Sequence, residues 1–184
     1  MSTLPRSTLA LGIILVAVAV LISLPFRFYS RQWHIFMHIL GAILFIGNIV
    51  ITAVWMILAV RTGQRPVVHF SARVVNQADV LFTIPGVLLI LLNGLHLAPA
   101  YGSGDILGAS WVQAALGLLI LSGAVWAGFL LRYQNRLVRL SASGAQLSDE
   151  FLAVFRNWGI WGGIATVLPI ISLILMVFKP RLWG

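Results

Sequence analysis

The chain has 184 residues, 60% of them hydrophobic and only 9% charged, with a mean hydropathy of +1.02. That composition excludes a soluble domain with a water-facing surface and defines an integral membrane protein. The formal charge of +8 comes from twelve basic residues confined to loops and ends, where they set membrane orientation rather than nucleic-acid binding.

Cysteine is absent, which removes disulfides, thiolate metal sites, iron–sulfur clusters and haem attached through cysteine. Any metal or haem has to rely on histidine, and with four methionines in the chain soft-ligand copper handling has little to draw on.

Five apolar runs are long enough to span a bilayer, at residues 9–24, 33–60, 80–97, 111–131 and 158–178. They predict an all-α, polytopic membrane helical bundle with no soluble domain. Residues 1–26 form an additional N-terminal transmembrane helix and residues 32–180 a four-helix core, within one membrane domain covering 1–184. The first run, LALGIILVAVAVLISLPF, is long for the apolar part of a signal peptide and has no small-x-small cleavage site. It is expected to be retained, to end at Pro25 and, lacking a polar seam, to lie at the periphery against the bundle or a partner protein. Arg27, Tyr29 and Arg31 fall in the turn that follows.

The second run, WHIFMHILGAILFIGNIVITAVW, carries the most polar chemistry along one face. His34, His38, Gly41, Phe45, Asn48, Thr52 and Trp55 recur at helical spacing, and such a seam turns toward other helices because His or Asn facing hydrocarbon is costly. A basic loop follows, with Arg61, Arg65, His69 and Arg73, where Pro66 starts a helical run into the third span. His69 is expected to be interfacial and solvated.

The third run carries a second seam, Asp79, Thr83, Gly86, Ile90 and Asn93, with His96 one turn on, and is the expected partner of the second. APAYGSGDILGAS then reads as a flexible loop. Ala124 with Gly128 in the fourth run and Gly159 with Gly163 in the fifth form small-xxx-small pairs that permit close helix approach. Between those runs RYQNRLVRL adds three arginines, and Ser148 with Asp149 and Glu150 marks the start of a short helix.

Eight basic residues (Arg6, Arg61, Arg65, Arg73, Arg132, Arg136, Arg139, Arg156) alternate with four (Arg27, Arg31, Lys179, Arg181) across the spans, which places the amino terminus inside. In an antiparallel pairing at ~1.5 Å per residue, His38 and His96 lie within about 7 Å of the same membrane face. Asn93 then falls near His38, Thr83 near Asn48 and Asp79 near Thr52. Two histidines on facing spans can hold a haem b, with Gly41 admitting the macrocycle, or a divalent metal between His38 and His96. Simple interhelical hydrogen bonding explains them equally well. No organised cationic cluster within the helices is visible to receive porphyrin carboxylates.

At HILGAILFIGNIVITAVWM, ADVLFTIPGVLLILLNGL and LMVFKP the chain resembles a bacterial family of predicted integral membrane proteins, the DUF2269 group. That group is similar in turn to the copper-resistance protein D superfamily and to the membrane protoporphyrinogen oxidase that binds haem through helix histidines. The resemblance covers about residues 33–180 and sets His38 at the family's leading helix histidine, with Gly47, Asn48, Trp55 and Asp79 in matching motifs. It implies a multi-pass protein of the bacterial inner membrane. The leading expectation is haem b held by His38 with His96 or His34 opposite, and Asn48, Asn93 and Asp79 as supporting or proton-path groups. A non-catalytic accessory subunit of a respiratory or photosynthetic complex, meeting other membrane subunits or its own copy within the lipid bilayer, is the alternative, and copper transport a third.

Overall fold

Apolar chain in hydrocarbon has no water to satisfy its N–H and C=O groups, so each run must close its own hydrogen bonds as a helix. The computed structural model, which describes residues 4–24, 29–102, 104–144 and 146–183, meets that demand with helices and no strand among those residues. The helices are α1 (Arg6–Ser23), α2 (Arg31–Arg61), α3 (Arg65–Ala78), α4 (Ile84–Leu97), α5 (Ser110–Val125), α6 (Leu131–Ser141) and α7 (Asp149–Phe178). One π-helical turn, Asp79–Thr83, joins α3 to α4, and another, Trp126–Leu130, joins α5 to α6. Five helical stretches are therefore long and apolar enough to cross a membrane: α1, α2, Arg65–Tyr101, Ser110–Ser141 and α7. Pro25 and Arg27 lie outside the described residues.

The helical run expected from Pro66 is present, and the arginine-rich stretch before the fifth run is helical as well. The basic segment after α2 is α3, opened by Pro66 in its first turn, and RYQNRLVRL is α6. Both are amphipathic, and their apolar faces meet in a core that includes Met56, Val68, Leu137, Phe151 and Trp158. The 37-residue stretch Arg65–Tyr101 is about 55 Å long, against about 30 Å of hydrocarbon. The bundle therefore continues well beyond the lipid core. Ser148 does begin a helix, its hydroxyl accepting from Phe151 N–H at 3.1 Å, but that helix is the 30-residue α7 rather than a short one. Ser30 caps α2 in the same way, through Trp33 N–H at 3.3 Å.

The core is two antiparallel pairs, α2 against α4 and α5 against α7, each packed along its length. The pairs meet at the basic end through α3, α6 and the start of α7, and at the other, histidine end through side chains such as His38 against Met176 and Tyr101 against Trp111. α2 and α4 approach most closely where Gly41 faces Gly86: a Cβ at Gly41 would lie 2.7 Å from the Gly86 carbonyl oxygen. The expected small-residue pairs behave otherwise, since Gly128, Gly159 and Gly163 have nothing within 4 Å of a Cβ position and draw no helix close. α1 lies outside, packed on α4, with Trp33 Nε1 donating to the Ile22 carbonyl at 2.9 Å.

Candidate functional site

Between the two pairs, at the histidine end, lies an apolar groove of about 730 Å³, walled by α2, α4, α5 and α7. Its polar lining residues are His38, Tyr101, Trp111 and Lys179. His38 is held by one hydrogen bond: its Nδ1 lies 2.8 Å from the Ile90 carbonyl oxygen. A carbonyl only accepts, so Nδ1 carries the proton and Nε2 presents a lone pair. That nitrogen lies 3.4 Å from the Met176 sulfur, itself an acceptor. Two lone-pair atoms thus face each other with no hydrogen to share. Gly94 fits the ring from behind, because a Cβ there would come 2.9 Å from His38 Cε1.

At the rim, Tyr101 accepts from Arg31 at 3.0 Å, and Lys179 Nζ lies 4.5 Å from the centre of the same ring. Two cations from opposite ends of the core thereby reach the mouth of the groove, a cluster that no local sequence pattern announced. Gly102 and Gly108 close the loop between α4 and α5 so tightly that a Cβ at Gly102 would lie 2.6 Å from Gly108. Tyr101 stands at the start of this close approach.

His34 and His96 form a separate pair, with ring centres 4.1 Å apart. His34 is fully buried, and its Nδ1 meets Asn93 Oδ1 at 2.8 Å. Asn93 in turn donates to the Ser23 hydroxyl at 2.8 Å and the Leu89 carbonyl at 2.9 Å. The expected neighbour of Asn93 was His38; the pairing is one turn displaced, because the Gly41–Gly86 crossing sets the register of α2 on α4. Gly41 accordingly faces α4 and does not line the groove, where Gly47 and Gly94 are the glycines present. Ser23 is thus a polar contact made by α1, the helix that lacks a polar seam.

Asn48 and Asp79 belong to neither histidine cluster. Asn48 is ten residues beyond His38, roughly 15 Å along the helix. The buried Asp79 carboxylate accepts four hydrogen bonds. Oδ1 takes Asn48 Nδ2 at 3.3 Å and the Thr83 hydroxyl at 3.0 Å, while Oδ2 takes Trp126 Nε1 at 3.2 Å and Gln134 Nε2 at 2.7 Å. Thr83 does lie beside Asn48, at 2.8 Å, whereas the Thr52 hydroxyl bonds its own helix at Asn48 O. Asp79 therefore ties the α2–α4 pair to the α5–α6 helix, on the edge of a second cavity of about 870 Å³. Four donors fill the roughly four lone-pair positions of a carboxylate, so Asp79 has none left for a ligand. His69, expected to be solvated, is half-buried and bonds Ser141 Oγ at 3.1 Å. Among the described residues no three His, Cys, Asp or Glu side chains converge as a metal site.

No curated protein and no solved structure matches the chain. A family model described as a predicted integral membrane protein (DUF2269) matches residues 34–180, which takes in the four core spans and leaves out α1. With its five spanning helices and that match, the chain belongs to the DUF2269 family of integral membrane proteins.

Proposed function

We propose that the groove between the two helix pairs binds haem b, with His38 Nε2 as the ligand to iron, and that the protein serves membrane redox chemistry. The observation that carries this reading is the bare Nε2 lone pair of His38, fixed by the Ile90 carbonyl and turned to a thioether in an apolar cavity. A ligating histidine characteristically donates its other N–H to such a carbonyl. The fit extends to size and charge. The groove of about 730 Å³ lies within the 300–1,000 Å³ or so usual for cofactor sites, and Arg31 and Lys179 at Tyr101 suit the carboxylates of a porphyrin. Haem supplies one-electron transfer when bound. The chain's own part is to orient the imidazole, through Ile90 and Gly94, and to exclude water with Ile, Leu and Val walls.

The resemblance to the copper-resistance protein D superfamily and to membrane protoporphyrinogen oxidase, which rests on the helix motifs of the sequence alone, favours the same reading. Separately, the excess of arginine at the α3–α6 end supports an amino terminus on the cytoplasmic side of a bacterial inner membrane. A second reading rests on the His38–Met176 separation of 3.4 Å. That distance suits an imidazole and a thioether on adjacent positions of one soft metal ion, for which copper(I) is the chemical match. Oxidised and reduced absorption spectra of the purified protein, with metal analysis, separate the two. The haem reading requires about one haem b per chain; copper without haem would select the second reading, and neither in a folded preparation would remove both.

A further inference from the structure

We propose that His34 and His96 form a second site, distinct from the groove, that binds a divalent first-row transition-metal ion of the copper–zinc class. His34 is 1% exposed, and its Nε2 has no hydrogen-bond partner. A buried polar atom left unpaired is costly, so one that persists calls for an explanation.

The hydrogen bonds around His34 decide what kind of atom it is. Ser23 gives its hydroxyl hydrogen to the Ala19 carbonyl at 2.7 Å, so toward Asn93 it can only accept. Asn93 spends its amide hydrogens on Ser23 and the Leu89 carbonyl, so its oxygen can only accept from His34. The His34 proton is therefore on Nδ1, and Nε2 carries a lone pair. Three helices, α1, α2 and α4, cooperate to hold this tautomer. That is the supporting arrangement that orients a metal-ligating imidazole and raises its basicity.

The second ligand is at hand. The His96 ring lies 4.1 Å from that of His34, centre to centre, tilted by 41°. With metal–nitrogen bonds of ~2.0–2.1 Å, two imidazoles sharing an ion have ring centres roughly 4.5–6 Å apart, so His96 has to turn outward from its present position to complete the pair. His96 is exposed and free to make that turn, while His34 is fixed. Neutral imidazole favours copper, zinc and nickel over magnesium or calcium, and copper(II) binds most tightly of the divalent series. With two protein ligands the ion keeps open positions, which suits uptake and release at the membrane edge rather than a closed structural site.

The test is a copper(II) titration of the tag-free full-length protein in detergent, followed by electron paramagnetic resonance. The expected result is one equivalent bound, with hyperfine structure from two nitrogens. His96→Ala, at an exposed position that the fold tolerates, should weaken binding at least tenfold and leave one nitrogen or none. Asn93→Ala should weaken it about 10–100-fold by freeing the His34 ring. His69→Ala, at a residue bonded to Ser141 and remote from both histidine clusters, should leave it unchanged. Wild-type affinity and a two-nitrogen signal retained in His96→Ala would overturn the proposal, as would the absence of any stoichiometric copper in the wild type.

Discussion

Asp79 shows what a single side chain does in this protein. Its four neutral donors come from α2, from its own π-helical turn and from the α5–α6 helix, so the carboxylate joins the two halves of the core. Removing an acceptor so that buried donors are left unpaired costs about 1–3 kcal/mol per donor, and an alanine here would strand Trp126 Nε1 and Gln134 Nε2. Asp79→Ala is expected to lower stability by at least about 2 kcal/mol, measured by unfolding in micelles, while the spectrum of any bound cofactor stays unchanged. A cofactor lost in proportion to Asp79 substitution, in protein that remains folded, would return Asp79 to the ligand site. Gly94 acts at the same scale. A methyl group there collides with the His38 ring, so Gly94→Ala should shift the absorption or redox potential of a His38-bound cofactor without unfolding the bundle; an unshifted spectrum would remove Gly94 from its positioning role.

At the scale of elements, the crossing of α2 and α4 is fixed by Gly41 and Gly86. A Cβ at Gly41 meets backbone, which cannot swing aside as a side chain can. Gly41→Ala should therefore cost about 1–3 kcal/mol, as overpacking does, whereas Gly163→Ala meets open space and should cost nothing. Equal effects of the two in a thermal unfolding series would contradict the crossing. These two glycines also show where sequence reading succeeds and fails. The five spans, the polar seam of α2 and its pairing with α4 were legible because hydrophobic length and helical period are local properties of the chain. Which small residue meets another backbone was not, because Gly41 and Gly163 look alike until the helices are placed. Pro66 announced α3, whereas α6 went unread because its arginines masked apolar residues that recur at helical spacing. Met176 opposite His38, and Ser23 beneath Asn93, join positions on helices remote in sequence, and no local period records such contacts.

The whole molecule is a pair of helical hairpins clamped at one end and parted by the groove at the other. The clamp is the apolar core of α3, α6 and the flanking turns of α2 and α7, reinforced by Asp79. The parted end holds the histidines, the apolar groove and the cationic rim. This division lets the groove take a flat ligand without endangering the fold, since stability resides elsewhere. His38 is the residue on which the account turns, and His69, bonded to Ser141 in the clamp, is its natural control. The most direct measurement is haem content per folded chain for the wild type, His38→Ala and His69→Ala, purified side by side. About one haem is expected in the wild type and in His69→Ala, and none in a helical, membrane-inserted His38→Ala; equal haem content in the two variants would contradict ligation by His38.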